Sequence, residues 1–308
     1  MNSCLSIIIC TYNPDENIFS KCLDAIKKAS FEHIPHEILI VDNNSANKFG
    51  EQEYFKTFCN KCNARLINEN EQGLTPARLR GIREATGDIL VFIDDDNFIA
   101  PDFFKQGIKI GTDYEHIGSW SGRVTLEFEK EAEAWTKTYW GLLVNREIEK
   151  DYWSNLPHLP DTMPCGAGLF VRKQVADFYL QLHETGKRNI QLDRNGSSLF
   201  SGGDNDLAAC ACDIGMGVGV FHKLELTHYI PSFRTEKKYL LKLAEGIAAS
   251  TVVFHFFRGE MPSKQNLKNT LANSIRLLIK EKKAAQFYKA VLKGEKAGLE
   301  IVKNQTKG

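Results

Sequence analysis

The stretch Gly87-Asp88-Ile89-Leu90-Val91-Phe92-Ile93-Asp94-Asp95-Asp96-Asn97 constrains the fold more than any other. Its apolar, largely β-branched and aromatic run reads as a fully buried strand of about six residues. The run stops at three adjacent carboxylates, which repel one another unless a positive charge sits among them. In an open α/β sheet, ligands bind beyond the carboxyl ends of the strands. A divalent cation carrying a phosphorylated ligand is the simplest partner that makes such a cluster favourable. A solvated acidic turn is the plainer reading, and it suits one or two Asp after a strand. Three directly after a buried run favour a site.

Upstream, Leu5-Ser6-Ile7-Ile8-Ile9-Cys10 reads as a strand that stops at the turn signal Thr11-Tyr12-Asn13-Pro14. Asp15 caps a helix whose Phe19, Cys22, Leu23 and Ile26 have helical spacing. His36 to Val41 is a second strand, ending at Asp42-Asn43-Asn44-Ser45. Strand, helix and strand in so short a span form a βαβ unit with parallel strands. Residues 49–62 suit a helix, Ala64 to Ile67 a short strand, and Leu79, Ile82 and Ala85 one face of a further helix before the acidic strand. Neither G-x-G-x-x-G nor G-x-x-x-x-G-K-[ST] follows the first strand, which argues against a dinucleotide fold and a P-loop kinase. A phosphate bound here needs a metal rather than a glycine cradle.

The 308 residues suffice for one large domain, or for a main domain with an appendage. Lys+Arg and Asp+Glu are both 39, so net charge gives no argument for nucleic acid. Eight Cys are scattered through the chain, and several lie in apolar contexts. That pattern suits buried thiols in a reducing compartment. Cys59 and Cys62 form a lone C-x-x-C without a second ligand pair, a weak zinc signal. Leu5 to Cys10 is too short for a secretory core, and no run approaches a membrane span. The expectation is a cytoplasmic protein that at most touches the inner face of a membrane.

Beyond Pro101 a helix passes through Phe103, Phe104 and Ile108, and Ile117 to Phe128 reads as strands broken at Gly118 and Gly122. Residues 130–163 are rich in aromatics. Trp135, Tyr139 and Leu142 have the spacing of a helical core stripe, while Tyr152 and Trp153 suit either a core or a sugar face. Met163 to Arg172 is a small-residue turn feeding a strand, with Gly166 and Gly168 open to close backbone approach. Leu199 to Ala208 contains a second acidic feature, Gly202-Gly203-Asp204-Asn205-Asp206. There Asp204 reads first as a helix N-cap. Val218 to Phe221 and Leu224 to Tyr229 read as strands, the latter carrying His228. From Glu236 the chain looks helical, with a breaker at Gly259 to Pro262 and a basic, helically spaced stretch over 264–303. That tail suits packing on the domain or on a dimer partner better than lying on a membrane surface.

Five segments in order now carry a resemblance: Ser6 to Asn13, Ile40 to Ser45, Gly73 to Ile82, Gly87 to Asp96, and Gly202 to Leu207. Together they resemble the family 2 glycosyltransferases, which have the GT-A fold: a mixed, Rossmann-like α/β sheet flanked by helices. The resemblance implies a site for a nucleotide-diphospho-sugar, most often a UDP-sugar. It implies that Thr11, Tyr12 and Asn13 pack around base and ribose, that Asp42 accepts from the uracil ring, and that Arg78 lies near base and phosphates. Asp94-x-Asp96 matches the D-x-D motif. Asp96, with Asp94, would hold Mn²⁺ or Mg²⁺ bridging the diphosphate, while Asp94 and Asp95 touch ribose. His228 matches a further metal ligand, and Asp204 matches the general base. Where the family often has Glu before that Asp, this chain has Gly203, and Asp206 competes for the role.

The expectation is an inverting, metal-dependent glycosyltransferase acting on a saccharide or lipid-linked acceptor, as in building cell-surface polysaccharide. Residues 1–235 would form the GT-A domain, divided into a nucleotide half (1–100) and an acceptor half (101–235). Residues 236–308 would be a helical C-terminal region. A sugar-nucleotide transferase would carry a Gly-rich, basic loop in place of Thr11 to Pro14. A non-catalytic carbohydrate-binding protein would have no need of the acidic triplet. The oligomeric state stays open.

Overall fold

The computed structural model describes residues 4–157, 159–193, 200–260 and 281–305. Leu199 and the 264–280 part of the basic tail lie outside the described residues. The chain begins as alternating strands and helices: β1 (Leu5–Thr11), α1 (Glu16–Lys28), β2 (His36–Asp42), α2 (Glu53–Cys62), β3 (Ala64–Asn68), α3 (Leu74–Glu84) and β4 (Ile89–Asp94). β1 lies parallel to both β2 and β4, and β2 lies parallel to β3. The buried runs of β1 and β4 are apolar on both faces because helices cover both sides of the sheet. Asp15 caps α1, accepting from the backbone N–H groups of Asn17 and Ile18. The stretch read as one helix over 49–62 divides at Gln52 into a 3₁₀ turn, Phe49–Glu51, and α2.

The second half adds β5 (Asn97–Ile99), α4 (Phe103–Asp113), β6 (Ile117–Phe128), a 3₁₀ helix (Ala134–Leu143) and β7 (Tyr152–Ser154). β8 (Leu169–Arg172), α5 (Lys173–Glu184), α6 (Gly203–Asp213) and β9 (Gly217–Ile230) follow. Among the described residues the sheet has nine strands in the order β3-β2-β1-β4-β8-β6-β9-β5, with β7 also on β9. β8 is antiparallel to β4 and β6, so the sheet is mixed. Glycines 118 and 122 do not break β6. It is one strand of 12 residues whose register against β9 shifts at those points. The two strands expected over 218–229 are likewise one, because the residues between them bulge within a continuous β9.

The C-terminal region is helical. α7 (Lys237–Phe257) and α8 (Lys282–Gln305) pack together, with Phe287, Ala290, Gly294, Gly298 and Val302 of α8 buried. α7 buries Leu240, Leu243 and Ala244 in a cluster with Leu143 and Ile230. Trp135 and Tyr139 pack against that cluster, and the Tyr139 ring stacks on Phe287 at 3.6 Å. The core reading of the aromatic stripe therefore fits, whereas Tyr152 and Trp153 are exposed. Contrary to the expectation that no run approaches a membrane span, α7 is long and apolar enough to cross one. Half of its apolar window is covered by the fold.

A buried ion cluster ties α7 to α6. Asp206, 1% exposed, accepts from Arg188 Nε and from Arg258 Nη1, both at 2.8 Å. Removing one partner of such a pair strands the others without water. Asp206→Ala is expected to lose about 3–5 kcal/mol in urea unfolding. A loss below about 1 kcal/mol would mean that the cluster does not anchor the helix.

Candidate active site

The parallel strands deliver the site. Thr11 pairs with Asp42, and Cys10 with Asp94, so β1, β2 and β4 end together at one edge of the sheet. β4 ends at Asp94, and Asp95 and Asp96 form the turn into β5. Asn97 stands opposite His228 in the β5–β9 pairing, which brings Asp96 beside that imidazole. The result is a cavity of about 430 Å³. Of the residues anticipated for the site, Thr11, Tyr12, Arg78, Asp94, Asp95, Asp96, Asp204 and His228 line it. Asn13 and Asp42 do not. Asn13 accepts from the backbone of Ala46 and Asn47, and Asp42 from that of Ser45, so both shape the loop after β2. Asn43 reaches the wall instead, and its Oδ1 accepts from Gly73 N at 2.7 Å.

The triplet is held by neutral donors and by one cation. The Thr11 hydroxyl donates to Asp95, and Asn97 Nδ2 donates to Asp96 at 3.1 Å. Arg234 Nη1 donates to Asp96 Oδ2 at 3.1 Å and to His228 Nε2 at 3.2 Å. His228 Nδ1 lies 3.1 Å from the Leu143 carbonyl. A carbonyl only accepts and a guanidinium only donates, so the proton sits on Nδ1 and the Nε2 lone pair accepts from Arg234, with Asp96 Oδ2 3.4 Å from Nε2. That is how a metal-ligating His is oriented by its outer partner. Among the described residues no cluster of three or more His, Cys, Asp or Glu forms a ready-made metal cage. Asp96 and His228 are the pair that could hold a divalent ion, which would need further ligands from outside the chain.

Asp204 approaches from α6. It is not the N-cap: Gly202 holds that position, and Asp204 lies in the first turn. Its Oδ2 accepts from Gly166 N at 2.7 Å, and a side chain at 166 would meet that same oxygen. The competing candidate, Asp206, is instead held by two Arg partners and does not line this cavity. A Cβ at Gly203 would sit 2.2 Å from the carboxylate of Asp193. Asp193 thus fills the space that a Glu at 203 would need. It accepts from Gly203 N, from the Thr75 hydroxyl and from Arg78 Nη1, the last at 2.9 Å. Burial pulls the Arg78 guanidinium down, but Asp193, Asp204 and Asp94 more than offset this and raise its pKa. Asp193 and Arg234 were both missed in the sequence. Nothing local distinguishes Asp193, and Arg234 lies well beyond the last matched segment, Gly202 to Leu207.

A family profile described as "Glycosyl transferase family 2" matches residues 6–175, more than half of the chain. The chain belongs to glycosyl transferase family 2. It is 33% identical over 118 residues to glycosyltransferase AglE of Haloferax volcanii, covering 37% of this chain and 38% of that one. It is 33% identical over 122 residues to the dolichol-phosphate mannosyltransferase of Pyrococcus furiosus, covering 37% and 32%. The chain thus spans about a third of the length of these relatives. The crystal structure of S. aureus TarS 1-349 superposes with a TM-score of 0.53 at 16% identity, covering 97% of this chain and 82% of that one. Its complex with UDP-GlcNAc gives 0.56 at 14%. This likeness places the family 2 chain in the GT-A fold, with its helical C-terminal region included in the match.

Burial, and then the charge of Asp96, raise the pKa of Asp94 to about 6 and that of Asp95 to about 7. An unfolded Asp ionises near pH 4, at about 3.9. Each group therefore holds its proton more tightly in the folded chain. This contribution to stability is complete below about pH 4 and is lost as pH rises through 6 to 7. Without added metal, the pair is expected to lower Tm by a few degrees between about pH 5.5 and about pH 8. Asp95→Asn should remove roughly half of that fall. A variant profile superimposed on that of the wild type would show that Asp95 does not titrate in this range.

Proposed function

We propose that this chain is an inverting, metal-dependent glycosyltransferase that moves a sugar from a UDP-sugar to a saccharide or lipid-linked acceptor, in the building of cell-surface polysaccharide. One observation carries the reading. A carboxylate with no guanidinium hydrogen-bonded to it, Asp204, is fixed by a backbone N–H in the same cavity as a triplet of carboxylates on other elements. Two roles need two such places: one holds a leaving diphosphate through a cation, and the other takes a proton. The choice of UDP-sugar leans on the structural neighbour described with UDP-GlcNAc.

In this reading Tyr12, half exposed at the cavity mouth, offers its ring to the base, and Asn43 and Gln72 offer polar groups beside it. Asp96 and His228 would hold Mn²⁺ or Mg²⁺, which supplies Lewis-acid stabilisation of diphosphate charge. Arg234, which contacts that pair, would be free to donate to phosphate oxygens once the ion is held there. The acceptor hydroxyl attacks the anomeric carbon. The new C–O bond forms as the bond to the diphosphate oxygen breaks, and its electron pair leaves with the nucleotide. Asp204 receives the hydroxyl proton. One displacement of this kind inverts the anomeric configuration.

Calorimetric titration should show UDP binding that requires Mn²⁺. A folded chain that binds no UDP at any Mn²⁺ concentration would refute the proposal. Asp204→Asn is expected to bind UDP normally yet lose two to four powers of ten, roughly, in transfer. Full activity in this variant would move the base elsewhere. Arg234→Gln should bind Mn²⁺ alone more tightly, since a competing cation is gone, and UDP at least about tenfold more weakly. Unchanged Mn²⁺ affinity would show that the guanidinium does not compete for the seat.

A further inference from the structure

Asp204 and Arg78 lie close together and do not pair. A Cβ added at Gly166 would stand 2.7 Å from Asp204 Oδ2 and 3.2 Å from Arg78 Nη2, so both groups crowd the same glycine. No hydrogen bond or ion pair joins them among the described residues. Arg78 Nη1 goes instead to Asp193 Oδ2, at 2.9 Å. Asp204 is thereby left open to the donor cavity and to a second cavity of about 470 Å³, walled in part by α7.

The arrangement is poised, because Arg78 is as buried as Asp193. A buried guanidinium that loses its partner cannot fall back on water and must turn to another carboxylate. Asp193 acts on the Arg78 charge most strongly among the carboxylates, and Asp204 comes next, ahead of Asp94. A carboxylate bound to a guanidinium is stabilised in its charged form and is a poorer proton acceptor. Asp193 can keep Arg78 because both of its own oxygens are fixed. Oδ2 also accepts from the Thr75 hydroxyl, at 2.9 Å, and Oδ1 accepts from Gly203 N, the first residue of α6. The segment behind it is anchored as well. Arg188 is bound to Asp206, and Ile190 and Leu192 share a buried cluster with Val252 and Val253 of α7 and Val302 of α8. One carboxylate thus fixes both the first turn of α6, where Asp204 sits, and the cation nearest to that acid.

We propose that Asp193 is a positioning residue for the transfer reaction: by holding Arg78 it keeps the Asp204 carboxylate unpaired and able to take a proton. This role rests on Asp204 being the base, and it adds the group that keeps the base available.

The test is Mn²⁺-dependent release of UDP by the full chain from UDP-glucose, UDP-galactose, UDP-N-acetylglucosamine and UDP-N-acetylgalactosamine, with water as acceptor. Asp193→Asn keeps the shape of the side chain and frees Arg78. At a temperature where circular dichroism shows it folded, this variant is expected to lose about a hundredfold or more in kcat, the scale of a lost base, with KM within about fivefold. Asp193→Asn combined with Arg78→Gln leaves no guanidinium to close on Asp204. Its kcat is expected to recover at least about tenfold over Asp193→Asn, while KM rises because Arg78 lines the donor cavity. This double variant strands no buried charge, so it carries the test alone if Asp193→Asn does not fold, with kcat then expected within about tenfold of the unmodified chain. A folded Asp193→Asn with kcat within about threefold of the unmodified chain would overturn the proposal. So would a double variant no faster than Asp193→Asn or, where it alone folds, one as slow as Asp204→Asn. An unmodified chain that releases UDP from none of the four donors would strike the UDP-sugar reading and this role with it, whereas an active chain indifferent to Asp193 strikes this role alone.

Discussion

The site depends on a surplus of negative charge that the fold confines. Five carboxylates, Asp94, Asp95, Asp96, Asp193 and Asp204, line one cavity with two guanidiniums, Arg78 and Arg234. Confinement raises the cost of each uncompensated charge. The chain answers by dividing the work. Arg78 is paired with Asp193 beneath the cavity, Arg234 bridges Asp96 and His228, and Thr11 and Asn97 supply neutral donors to the triplet. Even so, Asp94 and Asp95 stay poised to hold protons. A further cation at this point would relieve the repulsion.

The two halves of the chain serve this arrangement differently. The parallel strands β1, β2 and β4 stop at the same edge of the sheet, so their terminal residues meet without further help. The later strands bring groups from far along the chain: β5 against β9 sets Asp96 next to His228, and the turn before β8 sets Gly166 against Asp204. α6 is in turn fixed to α7 through Asp206 and Arg258. The helical C-terminal region is therefore structurally tied to the acid that faces both cavities. α7 also walls the second cavity directly.

Asp193 shows how one physical requirement is met from an unexpected place. The resemblance calls for an acidic side chain just before Asp204, and the chain has glycine there. With no side chain at 203, the Asp193 carboxylate moves into the vacated space and pairs with Arg78. The local sequence departs from the pattern, and a carboxylate from elsewhere in the chain takes the vacated space. Asp206 is the converse. It sits in the right sequence window with the right chemistry, yet its two arginines turn it into a strut.

The sequence by itself determined the parts that arise from short-range periodicity and from strand ends. These are the βαβ start, the buried β4 run and the acidic triplet, with Thr11 and Asp94 at neighbouring ends of parallel strands; Arg78, Asp204 and His228 were legible only through the resemblance to the family. It was less reliable wherever a glycine might break or merely bend a strand, as at 118 and 122, because register shifts depend on the neighbouring strand. Tertiary structure alone decided that Asp206 is locked between two arginines while Asp204 faces the cavity, what fills the space at Gly203, and that Arg234 bridges Asp96 and His228. Each of these depends on contacts between residues tens of positions apart. Burial and pairing, not residue type, choose among chemically equal candidates there, and no local pattern encodes them.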